Sequence, residues 1–472
     1  MKKITVLFIL LTNWAGFAQN FVDVTNSLPQ LGYSFSAWGD YDSDGDLDLF
    51  FTGVISGSTY GGGLYQNNQG SFTLVTNSGL PTLQLGGAEW GDFNNDGYPD
   101  IVITGFNSNN QTQSDVYLNN GNGTFTAANS GIAKIEYGDV AVADINGDGH
   151  LDIGIAGFDT NVNTSLAKLY TGDGQGHFTQ LNVILPPIIY GRIKFADYDN
   201  DGDMDFILNG QNNATGAKYT KIWANDGQEH FTEQNLNLPN IDLGDVEWGD
   251  VDNDNDLDLV ITGSNGTNSV SYLMLNNGDG TFTQASGFNV VGAEGIANIE
   301  LKDFNNDQTL DIFITGESKN TSPSTPVAKI YNNTGGAFTE NTSMTNLPAV
   351  IYGDADAADY DHDGSVDLFV TGVDLNYNNK SKLFHNEIAG SVEKTVLSKF
   401  DIYPNPVNSI LHIQSKNYQE FDLSINDLTG KTVYKNNAVG GLQINVTDFP
   451  RGIYLLKITL GGEQMVKKLI VK

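Results

Sequence analysis

The nine residues from Asp197 to Asp205 read DYDNDGDMD. Side-chain oxygens stand at positions one, three, five and nine, and Gly202 stands at position six, where the chain must turn tightly. A short loop wraps a hard cation in this way, because such an ion takes about six to eight oxygens. Carboxylates held so close repel one another without a counter-ion. Position seven is expected to give its backbone carbonyl, so its side chain is free to vary.

The unit recurs seven times, with a period of about 50 residues, which marks a repeat architecture. The candidate ligands are Asp40, Asp42, Asp44, Asp46 and Asp48 in the first loop, and Asp92, Asn94, Asp96, Tyr98 and Asp100 in the second. The third offers Asp144, Asn146, Asp148, His150 and Asp152; the fourth Asp197, Asp199, Asp201, Asp203 and Asp205. The fifth offers Asp250, Asp252, Asp254, Asp256 and Asp258; the sixth Asp303, Asn305, Asp307, Thr309 and Asp311. The seventh offers Asp359, Asp361, Asp363, Ser365 and Asp367. Carbonyl-rich sites of variable size favour calcium over magnesium, so about seven calcium ions are expected. Asn255 and Gln308 replace the turn glycine. Glutamine tolerates left-handed geometry less well than asparagine, so the sixth site is expected to be the weakest.

The elements around each loop are short strands. In the second copy, Ala88-Glu89-Trp90 leads into the loop, and Asp100 to Thr104, Val116 to Leu118 and Thr124 to Thr126 follow, separated by Gly/Asn turns. Four strands in seven copies predict an all-β, seven-bladed β-propeller. The seventh copy lacks its fourth strand, and Phe21 to Leu28 resembles the fourth strand of the first copy, so the N-terminal strand is expected to complete the last blade. A glycine recurs thirteen residues after each first aspartate (Gly53, Gly105, Gly157, Gly210, Gly263, Gly316 and Gly372), which suggests a shared backbone need such as positive φ. The apolar pair of each third strand, Leu64-Tyr65 in the first copy, reads as packing between blades rather than as exposed sugar-stacking rings. Trp38, Trp90 and Trp248, in one register, read the same way.

The chain has 472 residues, no cysteine and a formal charge of −34. About half of the 57 acidic residues lie in the loops, and the acidity argues against nucleic acid as a partner. Residues 1–18, with Lys2 and Lys3 before a short apolar run, read as an export signal. No later segment is apolar and long enough for a membrane span. Residues 19–386 form the propeller, 387–399 a linker, and 400–472 a separate lysine-bearing unit of short strands that reads as a small β-sandwich.

Two resemblances follow. The blades resemble the FG-GAP/VCBS-type repeats of integrin α-chain propellers and many bacterial surface proteins, over about residues 20 to 386. That likeness implies calcium on Asp92, Asn94, Asp96, the Tyr98 carbonyl and Asp100, and on the matching positions of the other copies. The stretches YPNPVNSILHI, INDLTGKTVY and RGIYLLKITLGGEQMVKKLIVK resemble the type A sorting domain of the type IX secretion system of Bacteroidota. This implies export, secreted or surface-attached, with the secretion machinery as a partner.

Function is less determined, because one fold hosts many activities. The six histidines form no repeated pairing that would suggest a nucleophilic triad. A non-catalytic module that binds a glycan or a surface protein is therefore favoured; the alternatives are a polysaccharide lyase or hydrolase and a structural scaffold. One irregularity marks a possible ligand site. Five and three residues before the first aspartate, most copies carry acidic or neutral groups, among them Glu89, Asp139, Asp245, Glu247, Glu300, Asp354 and Asp356, whereas the fourth carries Arg192 and Lys194. Local charge compensation explains this; a fork of donors for an anionic or polyhydroxylated ligand is the sharper reading.

Overall fold

The computed structural model describes residues 19–25, 28–388, 400–403, 407, 409–415, 420–427, 431–447, 449–460 and 463–471. The expected export signal and nearly all of the expected linker lie outside the described residues. The chain divides into two compact units, one spanning Gln19–Glu387 and the other holding Ile388–Lys472.

The first unit is a seven-bladed propeller of four-stranded antiparallel sheets. In blade one, Gly32–Gly39 is innermost, followed by Asp48–Ser56, Thr59–Asn68 and Ser71–Leu74. The second strands are buried on both faces: Leu49, Phe50, Phe51, Ile101, Val102 and Ile103 are all fully covered. Continuous apolar runs are what a strand packed between two neighbouring sheets requires. Each core is shared between blades: Phe35, Phe50 and Leu64 of blade one pack with Leu83, Ile101, Ile103 and Tyr117 of blade two. The third-strand apolar pairs are buried in every blade, so no row of exposed rings exists there. Trp38 stacks on Tyr360 at 5.9 Å, Trp90 Nε1 donates to the Ala37 carbonyl at 3.3 Å and Trp248 stacks on Tyr198, all across blade boundaries.

Blade seven is assembled from Ile351–Ala358, Asp367–Val373, Asn379–Ile388 and, outermost, Gln19–Asp23. This pairing closes the ring and leaves no open seam between the ends of the chain.

The positive φ expected of the recurrent second-strand glycine holds in most copies, and a close approach of backbone holds in all. Five of the seven lie at positive φ, between 138° and 154°, but Gly53 and Gly157 do not. What they share is close approach of the inner strand: a Cβ at Gly53 would lie 2.7 Å from the Gly32 carbonyl oxygen, and one at Gly157 2.9 Å from that of Glu136.

The second unit is a sandwich of a three-stranded and a four-stranded sheet. Leu411, Ile413, Phe421, Leu423, Ile425, Ile444, Leu456 and Ile458 fill its core.

Candidate metal loops and channel site

Each loop joins the first two strands of a blade, and the first six share one hydrogen-bond plan, which the seventh keeps except that one Asp367 oxygen has no partner. In the first, Asp40 accepts the Asp44 and Gly45 amides through its two oxygens, at 3.0 and 3.1 Å. Asp44 accepts the Asp46 amide, and Asp48 accepts those of Tyr41 and Asn67. The same pattern fixes the fourth loop through Asp197, Asp201 and Asp205. Position six is left-handed throughout, and Asn255 and Gln308 adopt it at φ 73° and 72°. The sixth loop therefore keeps the turn, and the Gln308 amide still reaches Asp303 at 2.8 Å. Position four is also left-handed, at Ser43, Asn95, Gly147, Asn200, Asn253, Asn306 and His362.

Three observations fit a hard cation in these loops. First, position three leaves a buried oxygen with no partner at Asp42, Asp199, Asp252 and Asn305. Second, carboxylate oxygens of Asp40, Asp42 and Asp48, of Asp197, Asp199 and Asp205, of Asp250, Asp252 and Asp254, and of Asp359, Asp361 and Asp363 gather within 4.8 Å of one another. Third, position nine is fully buried, and burial pushes Asp48, Asp205 and Asp311 up to about 7 and Asp100, Asp152, Asp258 and Asp367 to about 6. A nearby cation reverses that burial cost. The side chains at positions one, three, five and nine, with the carbonyl at seven, would hold calcium.

The seventh loop differs. His385 Nδ1 lies 3.2 Å from both Asp361 and Asp367, and these two carboxylates push the imidazole up to about 10. A histidine ring thus stands beside the loop, where blade one has the amide of Gln66 donating to Asp42.

An asparagine that the sequence reading passed over ties each loop to the next blade. Asn67 donates to the Tyr360 carbonyl, Asn119 to Tyr41, Asn225 to Ile145, Asn276 to Tyr198, Asn333 to Val251 and Asn386 to Phe304, at 2.6 to 2.8 Å. Its signal was present, two residues beyond each third-strand apolar pair. In blade three Gly172 takes the place, and the Gly176 amide meets the Phe93 carbonyl at 3.1 Å instead.

The other candidate site lies at the channel. Glu89, Asp139, Arg192, Lys194, Glu300, Asp354 and Asp356 line one cavity of about 190 Å³. Arg192 Nε pairs with Asp245 at 3.2 Å and Lys194 with Glu247 at 2.7 Å, each one repeat ahead in the same register. Asp245 also accepts the Ile299 amide, and Asp354 that of Ser36. Glu89 is open to channel water yet enclosed by protein, and that enclosure pushes its carboxyl up to about 8; Asp356 is pushed to about 7.

Above these groups runs a ring of residues seven positions before each first aspartate: Tyr33, Leu85, Tyr137, Tyr190, Leu243, Ile296 and Tyr352. All have left-handed backbones, with φ between 50° and 59°. Around part of it each amide donates to the previous blade's carbonyl, Leu85 to Tyr33, Tyr137 to Leu85, Tyr190 to Tyr137 and Leu243 to Tyr190. Bulky residues adopt this conformation at a cost. The inner strands bulge here in five blades.

Fold and loops together define a propeller whose blades each carry an acidic cation-type loop. The FG-GAP-like repeat model matches residues 40–103, 92–155, 197–261, 250–314 and 303–370, and the chain belongs to that family. Residues 401–472 match the secretion system C-terminal sorting domain; the protein is therefore exported by type IX secretion, to be released or held at the cell surface. A search of curated proteins gave no match. Among solved structures, the chain is similar to fructan 1-exohydrolase IIa from Cichorium intybus in complex with 1-kestose. The identity is 10%, the TM-score 0.32, and 97% of this chain and 92% of that one are covered. So distant a likeness carries no argument about activity.

Proposed function

We propose that the mature chain is an exported, calcium-loaded propeller acting as a non-catalytic binding module, which takes a glycan or protein ligand at the mouth of its channel. The observation that carries this reading is the cavity itself: inner strands of several blades converge polar side chains and tyrosines on one concave site, where ligand sites concentrate. Calcium would be held by the loops at the strand junctions, away from that cavity, and would supply rigidity rather than chemistry.

A second reading, a polysaccharide lyase or hydrolase, draws on Glu89, whose carboxyl is pushed upward by its enclosure, the direction a general acid needs. Glycan-array binding combined with chain-cleavage assays on plant and algal polysaccharides separates the two. The binding module predicts a retained ligand without turnover. Cleavage by pure protein, abolished in Glu89→Gln, would establish the enzyme instead.

A further inference from the structure

We propose that the channel mouth recognises an organic ammonium group, held between the tyrosine ring and the carboxylates beneath it; this deepens the binding-module reading and rests on it. The charge balance is the first support. Arg192 and Lys194 are neutralised by Asp245 and Glu247. Glu300 and Asp356 stand near Lys302, while Asp139 and Asp354 share the field of Arg192 and Lys194, and Glu89 that of Lys194. Seven carboxyl groups thus share three bases, and this excess of acceptors suits a cation rather than an anion.

The second support is independent of charge. Asn298 lines the cavity and is 6% exposed. Its Nδ2 is fixed on Asp354 at 3.0 Å, while its Oδ1 has no partner. A buried amide oxygen without a donor is costly, and an ammonium N–H reaching it would supply the missing donor.

The third support is the identity of the ring residues. Leu85, Leu243 and Ile296 adopt the same left-handed backbone as the four tyrosines, so the turn does not require an aromatic. The Tyr137 and Tyr190 rings lie 5.2 Å apart, and those of Tyr33 and Tyr352 5.5 Å apart; Tyr137, Tyr190 and Tyr352 line the cavity. Aromatic faces gathered over negative charge attract organic cations. A bare metal ion would gain little from the rings. At about 190 Å³ the cavity admits a head group, not a whole oligomer, so the amine would be the tip of an amino sugar, a polyamine or a peptide.

Entry of a cation among these carboxyls expels stored protons. Glu89 and Asp356 are held up to about 8 and about 7, chiefly by enclosure. Around them stand Asp139, Asp354, Lys194, Glu247, Glu300 and Lys302. Affinity for an amine that stays protonated over this range, such as spermidine, should therefore rise as pH increases, and its binding heat should depend on the ionisation enthalpy of the buffer.

Calorimetry on the calcium-loaded mature chain tests this with three probes: deacetylated chitotetraose, its fully N-acetylated counterpart, and spermidine. Spermidine should bind with proton release, and acetylation of the amine sugar should weaken its binding about tenfold or more. Tyr190→Ala and Glu89→Gln should each weaken it about as much; Tyr190→Phe, which keeps the aromatic face, should retain binding. Spermidine binding as well as the sugar assigns recognition to the amine alone, whereas sugar binding without spermidine assigns it to an amino glycan. Equal affinity for the acetylated sugar, or no binding of either amine, overturns the proposal. If an uncharged glycan binds without amine preference, the binding-module reading survives and the ammonium inference falls.

Discussion

Replacing Asn225 with alanine should loosen the join between blades three and four. Asn225 is 4% exposed, and its Nδ2 donates to the Ile145 carbonyl at 2.6 Å and to the Met204 carbonyl at 3.0 Å. Ile145 is 1% exposed, so water cannot readily replace the lost donor. An unsatisfied buried acceptor costs about 1–3 kcal/mol, and an ordinary hydrogen bond contributes about 1 kcal/mol. Met204 is partly open, and its carbonyl recovers some solvation. The expected loss is therefore about 2–3 kcal/mol, read as a lower urea midpoint at unchanged slope in calcium-containing buffer. Asn225→Asp should cost at least as much, because it removes the donor and sets a second carboxylate near buried Asp205. A midpoint equal to wild type in both variants would refute the reasoning. By the same logic the boundary between blades two and three, where Gly172 provides no side chain, should exchange its amide protons first.

Two further outcomes follow from the loops and the tail. Asp201→Ala should destabilise more than Asp307→Ala in matched thermal melts, because Gln308 already burdens the sixth loop with a left-handed glutamine; the reverse order would remove Gln308 as the determinant. Deleting residues 400–472 should leave the propeller folded but retain it inside the producing cell, and secretion of the shortened chain at the normal level would contradict the sorting role.

The blades were legible because each cation loop fixes a strand junction, so repetition of nine residues reports repetition of a whole sheet. The apolar pairs and the three tryptophans were legible as core for the same reason. The channel pairing was half legible. Arg192 and Lys194 stood out as an irregularity, but their partners Asp245 and Glu247 lie one repeat ahead in the same register, and only the ring closure makes that offset a contact. The tyrosine ring was not legible. It depends on bulges that turn the backbone left-handed, and neither tyrosine nor leucine signals such a turn. His385 was passed over because its position follows an apolar pair in strand three, far in sequence from the loop it faces. The recurrent glycine was legible as a position and only in part as a cause, because close approach of another strand leaves no local pattern.

Calcium is the central claim, and its removal from the mature chain is the most direct test. Each occupied site stabilises the folded form by about 2.7 kcal/mol at an ion concentration 100 times Kd. Two or three such sites would rival the whole stability of an ordinary domain, about 5–15 kcal/mol. Melting followed in chelator and again after calcium is restored, with elemental analysis of the dialysed protein, reads both effect and occupancy. The account predicts about six or seven calcium ions per chain, a clear fall in melting temperature in chelator, and recovery when calcium returns. A metal-free protein that melts at the same temperature in chelator and in calcium would contradict it.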